Sequence, residues 1–238
     1  MTERNVSFWQ YACRMESSTP LSGRRAQAVR NDRLILEAAR AVFVADPEAP
    51  ISAVAERAGV GISALYRRYA SKEDLLRHLC LDGLHRYIAV VGAAVADEGD
   101  PWNAFATFMR RAVEADTPSL TLRLAGAFTP NEELYREADR AQQLNVRLVA
   151  RTKAAGALRP DVEVEDIGLL LEQLATIRAQ DPERTMQLRR RYLALLLDAL
   201  HLPGADSLPG PPPSWAEFQE RWIPKTAVDS DGSRPSER

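Results

Sequence analysis

The chain has 238 residues, enough for one large domain or two modest ones, and its 45% hydrophobic and 27% charged content is that of an ordinary folded protein. A formal net charge of −2 excludes a polycation, and two cysteines, Cys13 and Cys80, outside any CxxC pair exclude a disulfide framework and suit a reducing compartment. No run of about 18 apolar residues reads as a membrane span, and the polar start MTERNVSFWQYACRMES lacks the apolar stretch of a secretory signal, so the expected location is the cytoplasm.

Residues 1–23 hold no sustained period and read as a flexible arm, with Phe8, Trp9 and Tyr11 as a candidate docked turn. Helical periodicity begins near Ala26, and Ile35, Ala38, Ala39, Val42 and Phe43 make one apolar stripe that ends before Asp46-Pro47. Ser52 is placed to cap a short helix running to about Ala58, and Gly59 to end it with a positive φ. A third short helix is expected over 62–69. Ser71-Lys72-Glu73-Asp74 then supplies a capping box for a long helix reaching about Ala96. Further helices are expected over 102–115, 119–127, 131–155, 164–179 and 183–201. No segment alternates as a strand would, so the expectation is an all-α chain of about nine helices. PGADSLPGPPP, residues 203–213, favours extended polyproline geometry, Trp215 to Trp222 can dock as a short amphipathic piece, and the residues from Lys225 look disordered.

The chemistry concentrates in residues 51–72. Val54, Ala58, Val60 and Leu65 can meet inside an angle between two short helices, and Gly59 supplies the left-handed residue of a tight turn. That is a helix-turn-helix layout whose second helix presents Ser63, Ala64, Arg67 and Arg68, with Tyr66 at the flank. A helix of this kind fits the major groove of B-DNA. Arginine can bridge guanine O6 and N7 or grip phosphate, and tyrosine hydroxyls and helix N-termini bind phosphate. Lys72 in the first turn of the next helix opposes the helix dipole, a conflict that an external phosphate would resolve. From Arg24 to Arg86 there are eleven Arg and Lys against eight Asp and Glu, so this third is mildly basic on an acidic body. The plainer reading of the same stretch is a helical corner with solvated arginines and a packed tyrosine.

The words "ILEAARAVF" and "ISAVAERAGVGISALYRRYASKEDLL", and the spacing between them, resemble the DNA-binding domain of the TetR (tetracycline-repressor) family of bacterial regulators. The resemblance runs from Ile35 to Leu76, about a fifth of the chain. It implies that 62–69 is the recognition helix, that Tyr66 and Lys72 grip phosphates, and that Ser63, Ala64, Arg67 and Arg68 lie at or near the groove of double-stranded DNA. Two positions depart from the family habit: Gly61 and Ala64 stand where Ser or Thr is frequent, so Ala64 lacks a hydroxyl contact. Tyr69 replaces a frequent Phe.

By the same resemblance the protein is expected to be a homodimeric, ligand-responsive regulator, most naturally a repressor on a palindromic operator. Its parts would be an arm at 1–23, a helix-turn-helix domain at 24–72, a helical regulatory and dimerisation domain at 73–202 and a Pro/Gly-rich tail at 203–238. The stripes of the last two strong helices are wider than a monomer core needs, which nominates Leu170, Leu174, Leu188, Tyr192 and Leu195 for a dimer interface. Trp102, Phe105, Phe108, Met109, Leu122 and Phe128 are the candidate pocket for a hydrophobic or aromatic effector, with Arg123 and Glu172 as polar anchors; core packing is the competing reading. His78, His85 and His201 share no metal-ligand spacing, Cys80 reads as a small core residue, and no catalytic constellation or cofactor motif is present. Two other functions remain open: an all-α enzyme, or a helical adaptor that uses 209–213 and Trp215–Trp222 to bind a partner protein.

Overall fold

A computed structural model describes residues 23–201 and 206–223, and these contain ten helices and no strand. The arm up to residue 22 with Cys13, residues 202–205 at the start of the Pro/Gly tract, and the tail from residue 224 lie outside the described residues. The helices are α1 (Gly23–Ala45), α2 (Ile51–Ala58), α3 (Ile62–Arg68), α4 (Lys72–Ala96), α5 (Pro101–Glu114), α6 (Thr117–Leu124), α7 (Glu132–Ala154), α8 (Val164–Thr176), α9 (Pro182–His201) and α10 (Trp215–Glu220).

The periodic stripe of α1 buries Ile35, Ala38, Ala39 and Phe43 against Val54, Ala55, Leu65 and Tyr69 from the two helices that follow. Ser52 lies inside α2, whose N-cap is Pro50. Proline fits there because its missing N–H would have had no helical partner. At the other end Gly59 adopts φ 67°, its N–H bonds Glu56 O at 3.1 Å, and Val60 N–H bonds Ala55 O at 3.0 Å. A Cβ at Gly59 would meet nothing within 4 Å, so only the left-handed backbone demands glycine. Gly59→Ala is therefore expected to destabilise the protein by about 1–2 kcal/mol, read as a lowered denaturation midpoint.

The start of α4 is capped differently from a simple box. Ser71 Oγ accepts the Asp74 N–H at 3.0 Å, while the Asp74 carboxylate accepts from Ala70 N–H, one residue earlier than Ser71. From that start α4 runs 25 residues, long and apolar enough by length and composition to cross a bilayer. In this fold its buried residues serve two cores. Leu75, Leu76, Leu79 and Cys80 complete the core of α1–α3, and Val91 and Ala94 belong to a second core with α5, α7, α8 and α9. Leu120 and Leu124 of α6 also join the first core. The close approach of α4 and α6 occurs at Gly83, where a Cβ would lie 2.8 Å from Leu120 Cδ1.

Between α5 and α6 the chain turns through Asp116 at φ 50°. Arg40 of α1 donates to Ala115 O at 2.8 Å and to Asp116 O, and burial lowers its pKa. The Asp116 carboxylate accepts from Arg189 Nη1 of α9 at 2.6 Å, and Arg189 also donates to Ala175 O at 2.8 Å and Ile177 O at 3.2 Å at the end of α8. This claim on the carbonyls explains why α8 stops at Thr176, short of the expected 179. Beyond α9 the chain passes Asp161, which takes two hydrogen bonds from Arg159 and the Leu208 N–H at 2.9 Å. Arg159 and that N–H hold the Asp161 carboxyl well below the usual range. The described residues 206–214 are non-helical, and Ser214 and Glu217 form a reciprocal capping box that starts α10.

Candidate nucleic-acid interface and internal cavity

One residue of α3, Leu65, is fully buried and holds the helix against α2 and α1. With that face inward, Ile62, Ser63, Tyr66, Arg67 and Arg68 are exposed and Ala64 is half-exposed. Tyr66 shows half its surface to solvent. Arg67 makes no ion pair among the described residues, whereas Arg68 is held by the Asp32 carboxylate of α1. The buried Tyr69 follows; desolvation raises its phenol pKa, and its ring meets His78 of α4 edge-on at 5.2 Å. Lys72 sits at the first turn of α4 with its ammonium 5.4 Å from the centroid of the Phe43 ring. Its neighbours Glu73 and Asp74 turn to Thr129 N–H, Arg77 and Ala70 N–H, which leaves Lys72 with no carboxylate partner among the described residues. The result is a short exposed surface of Ser63, Tyr66 and Arg67, with the half-buried Lys72 at the start of the next helix and Arg68 tied back to α1. It can offer hydrogen-bond donors and positive charge to a phosphate backbone or to base edges.

A second site lies about one third of the way down α4. A cavity of about 220 Å³ is walled by Cys80, Gly83, Leu84 and Tyr87 of α4, by α6 and α7, by Gly168, Leu171 and Glu172 of α8, and by Trp215, Phe218 and Trp222 around α10. Tyr87 Oη donates to Asn145 Oδ1 at 2.9 Å, and burial pushes its pKa up. Burial likewise raises the Cys80 thiol to about 12, so it stays protonated and unreactive at neutral pH.

This cavity is not where the aromatic cluster on α5 pointed. Phe105, Phe108 and Met109 are buried in the second core, and Trp102 stacks on His201 at 4.1 Å between ring centroids. Phe128 belongs to the first core and meets Trp222 edge-on at 5.8 Å. Leu122 and Arg123 are half-buried outside the cavity wall. Of the eight nominated residues Glu172 alone lines the cavity. An aromatic stripe at helical spacing packs a core as readily as it lines a pocket, and the sequence does not separate the two. The missed wall residues carried one signal, the amphipathic Trp215–Trp222 piece, which docks on the cavity.

The nominated α8–α9 residues also divide. Leu174 is buried and Leu170 and Leu188 are half-buried, whereas Tyr192 and Leu195 are 49% and 57% exposed. With Gln173, Ile177 and Leu196 they border a shallow apolar groove between the two helices.

Residues 35–79 match the family model for bacterial regulatory proteins of the tetR family, and residues 100–202 match the C-terminal domain of SbtR-like transcriptional regulators. Among solved structures, a TetR transcription regulatory protein from Mycobacterium vanbaalenii is 28% identical over 75% of this chain and 99% of its own, with a TM-score of 0.52. SCO0520 from Streptomyces coelicolor is 23% identical, covering 73% and 99% with a TM-score of 0.52. LfrR from Mycobacterium smegmatis, solved in complex with proflavine, is 21% identical, covering 76% and 99% with a TM-score of 0.52. The last two similarities speak for the fold. No curated protein matches the chain.

Proposed function

The chain belongs to the TetR family of bacterial transcriptional regulators, with a DNA-binding helix-turn-helix in α2 and α3, and from that premise we propose that it is a ligand-responsive repressor. In this reading two copies in the cytoplasm grip a palindromic operator and release it when a small apolar effector fills the cavity. The observation that carries the reading is the orientation of α3: Leu65 faces inward while Ser63, Tyr66 and Arg67 stand in solvent on one short helix.

The second copy would cover the groove bordered by Tyr192 and Leu195, where two large apolar side chains are otherwise left in water. Two recognition helices would then enter successive major grooves about 34–36 Å apart. Coupling would run through α4, whose first turn carries Lys72 and whose next turns wall the cavity. An effector that binds one geometry of the pair more tightly than the other shifts the population away from the operator-binding spacing. The proflavine bound to LfrR lends the idea of a small-molecule effector support by analogy of fold.

Selection of bound duplexes from random DNA tests the reading. The expected product is an inverted repeat with half-site centres about 10 base pairs apart; an unrepeated site, or no enrichment, would refute it. Tyr66→Phe and Lys72→Ala are expected to weaken binding to all sequences alike. Lys72→Ala should also lower the slope of log affinity against log salt by about one unit per protomer.

A further inference from the structure

The cavity wall contains two carboxylates, Glu165 and Glu172, and no Lys, Arg or His among the described residues. Glu165 is partly engaged, accepting a hydrogen bond from Gln142 Nε2 at 2.8 Å. Glu172 is 7% exposed, on the buried side of α8. A carboxylate in that position costs several kcal/mol unless a cation answers it. The cation comes from the far end of the chain: Arg221 Nη2 lies 2.9 Å from Glu172 Oε2. The Arg221 guanidinium also sits 5.2 Å from the centroid of the Phe218 ring, itself part of the wall.

The segment that delivers this arginine is lightly held. No residue of α10 is fully buried. Two glycines let it approach closely: a Cβ at Gly168 would lie 3.1 Å from Phe218 Cζ, and one at Gly126 would lie 3.4 Å from Arg221 O. The match to the regulator family's C-terminal domain ends at residue 202, before the segment begins. The chain thus answers the buried acid of an apolar cavity with its own positive charge, held at the edge of a wall that has no basic group and to which Phe218 and Trp222 contribute.

We propose that the cavity takes an organic cation with an aromatic or apolar body, and that the α10 segment is its built-in competitor. The ligand's positive group replaces Arg221 at Glu172, and its body replaces the rings of Phe218 and Trp222. An anion of the same shape is rejected because, with the α10 segment and Arg221 displaced, it would face Glu165 and Glu172 with no compensating charge. The proposal rests on the cavity being the effector site.

The test uses the full chain and three probes of matched shape: 4-phenylbutylammonium, 4-phenylbutanol and 4-phenylbutyrate. Binding is followed by calorimetry and by the change in tryptophan emission, to which the wall residues Trp215 and Trp222 contribute. The wild type should prefer the cation and reject the anion. Arg221→Gln removes the competitor and should tighten the cation by at least about tenfold, with the alcohol little changed. Glu172→Gln should erase the preference for cation over alcohol. Equal affinity of Arg221→Gln for cation and alcohol, a preference for the anion, or no binding of any probe would each overturn the proposal. Thermal unfolding checks each variant; if Glu172→Gln does not fold, the comparison in Arg221→Gln decides alone. Operator binding by the same proteins separates the two levels: bound operator with no charge preference sinks this inference only, whereas absent operator binding sinks the function it rests on.

Discussion

Arg67→Ala is expected to weaken specific operator binding by about 1–3 kcal/mol per half-site. A palindromic operator would suffer that loss twice. The reason lies in how α3 is held. Leu65 locks the helix from inside, so truncating an exposed side chain should leave the fold standing. Arg67 has no carboxylate to satisfy it among the described residues and is available to a guanine edge. Arg68 differs. Its guanidinium is committed to Asp32, so reaching the groove requires giving up an ion pair between α3 and α1. Arg68→Ala is accordingly expected to cost less operator affinity than Arg67→Ala. Fluorescence anisotropy with selected and scrambled duplexes measures both. Unchanged operator affinity in the double variant would remove α3 as the reading helix.

Asp116→Ala is expected to destabilise the fold by roughly 3 kcal/mol, the low end of the cost of stripping the partner from a buried charge, here Arg189, whose carboxylate partner is itself half-buried. Arg189 is 4% exposed and would keep its bonds to Ala175 O and Ile177 O, which is why the low end applies. The same corner holds Arg40 of α1 by two backbone carbonyls. One turn of chain therefore ties α1 of the DNA-binding helices to α8 and α9, whose outer faces carry the candidate dimer groove. Replacing both charges, Asp116→Ala with Arg189→Met, should recover part of the loss, because no unpaired charge is then buried. Denaturant unfolding of the two singles and the double gives the coupling energy. Additive losses would mean that the two residues act separately.

The helix-turn-helix was legible because every one of its constraints is local. The apolar stripe of α1 recurs at helical spacing, Gly59 marks a left-handed turn, and Ser71 with Asp74 marks a helix start. Where local rules left a choice, the details moved: Pro50 rather than Ser52 stands at the N-cap of α2, with no side-chain capping bond, and Asp74 reaches Ala70 rather than Ser71. The division at 72/73 is also softer than expected, since α4 and α6 complete the core of the first three helices.

By itself, then, the amino-acid order determined the all-helical class, the helix-turn-helix with Ser63, Tyr66 and Arg67 outward on its second helix, and the regulator family. Tertiary structure alone decided that Arg68 answers Asp32, that the aromatic residues of α5 fill a core, and that the cavity forms where α4, α6, α7 and α8 meet α10. The physical reason is range. Helix periods and caps act within a few residues, but a cavity is the space left when helices far apart in the chain stop short of filling it. The Glu172–Arg221 pair joins residues whose only relation is that they fold to the same place.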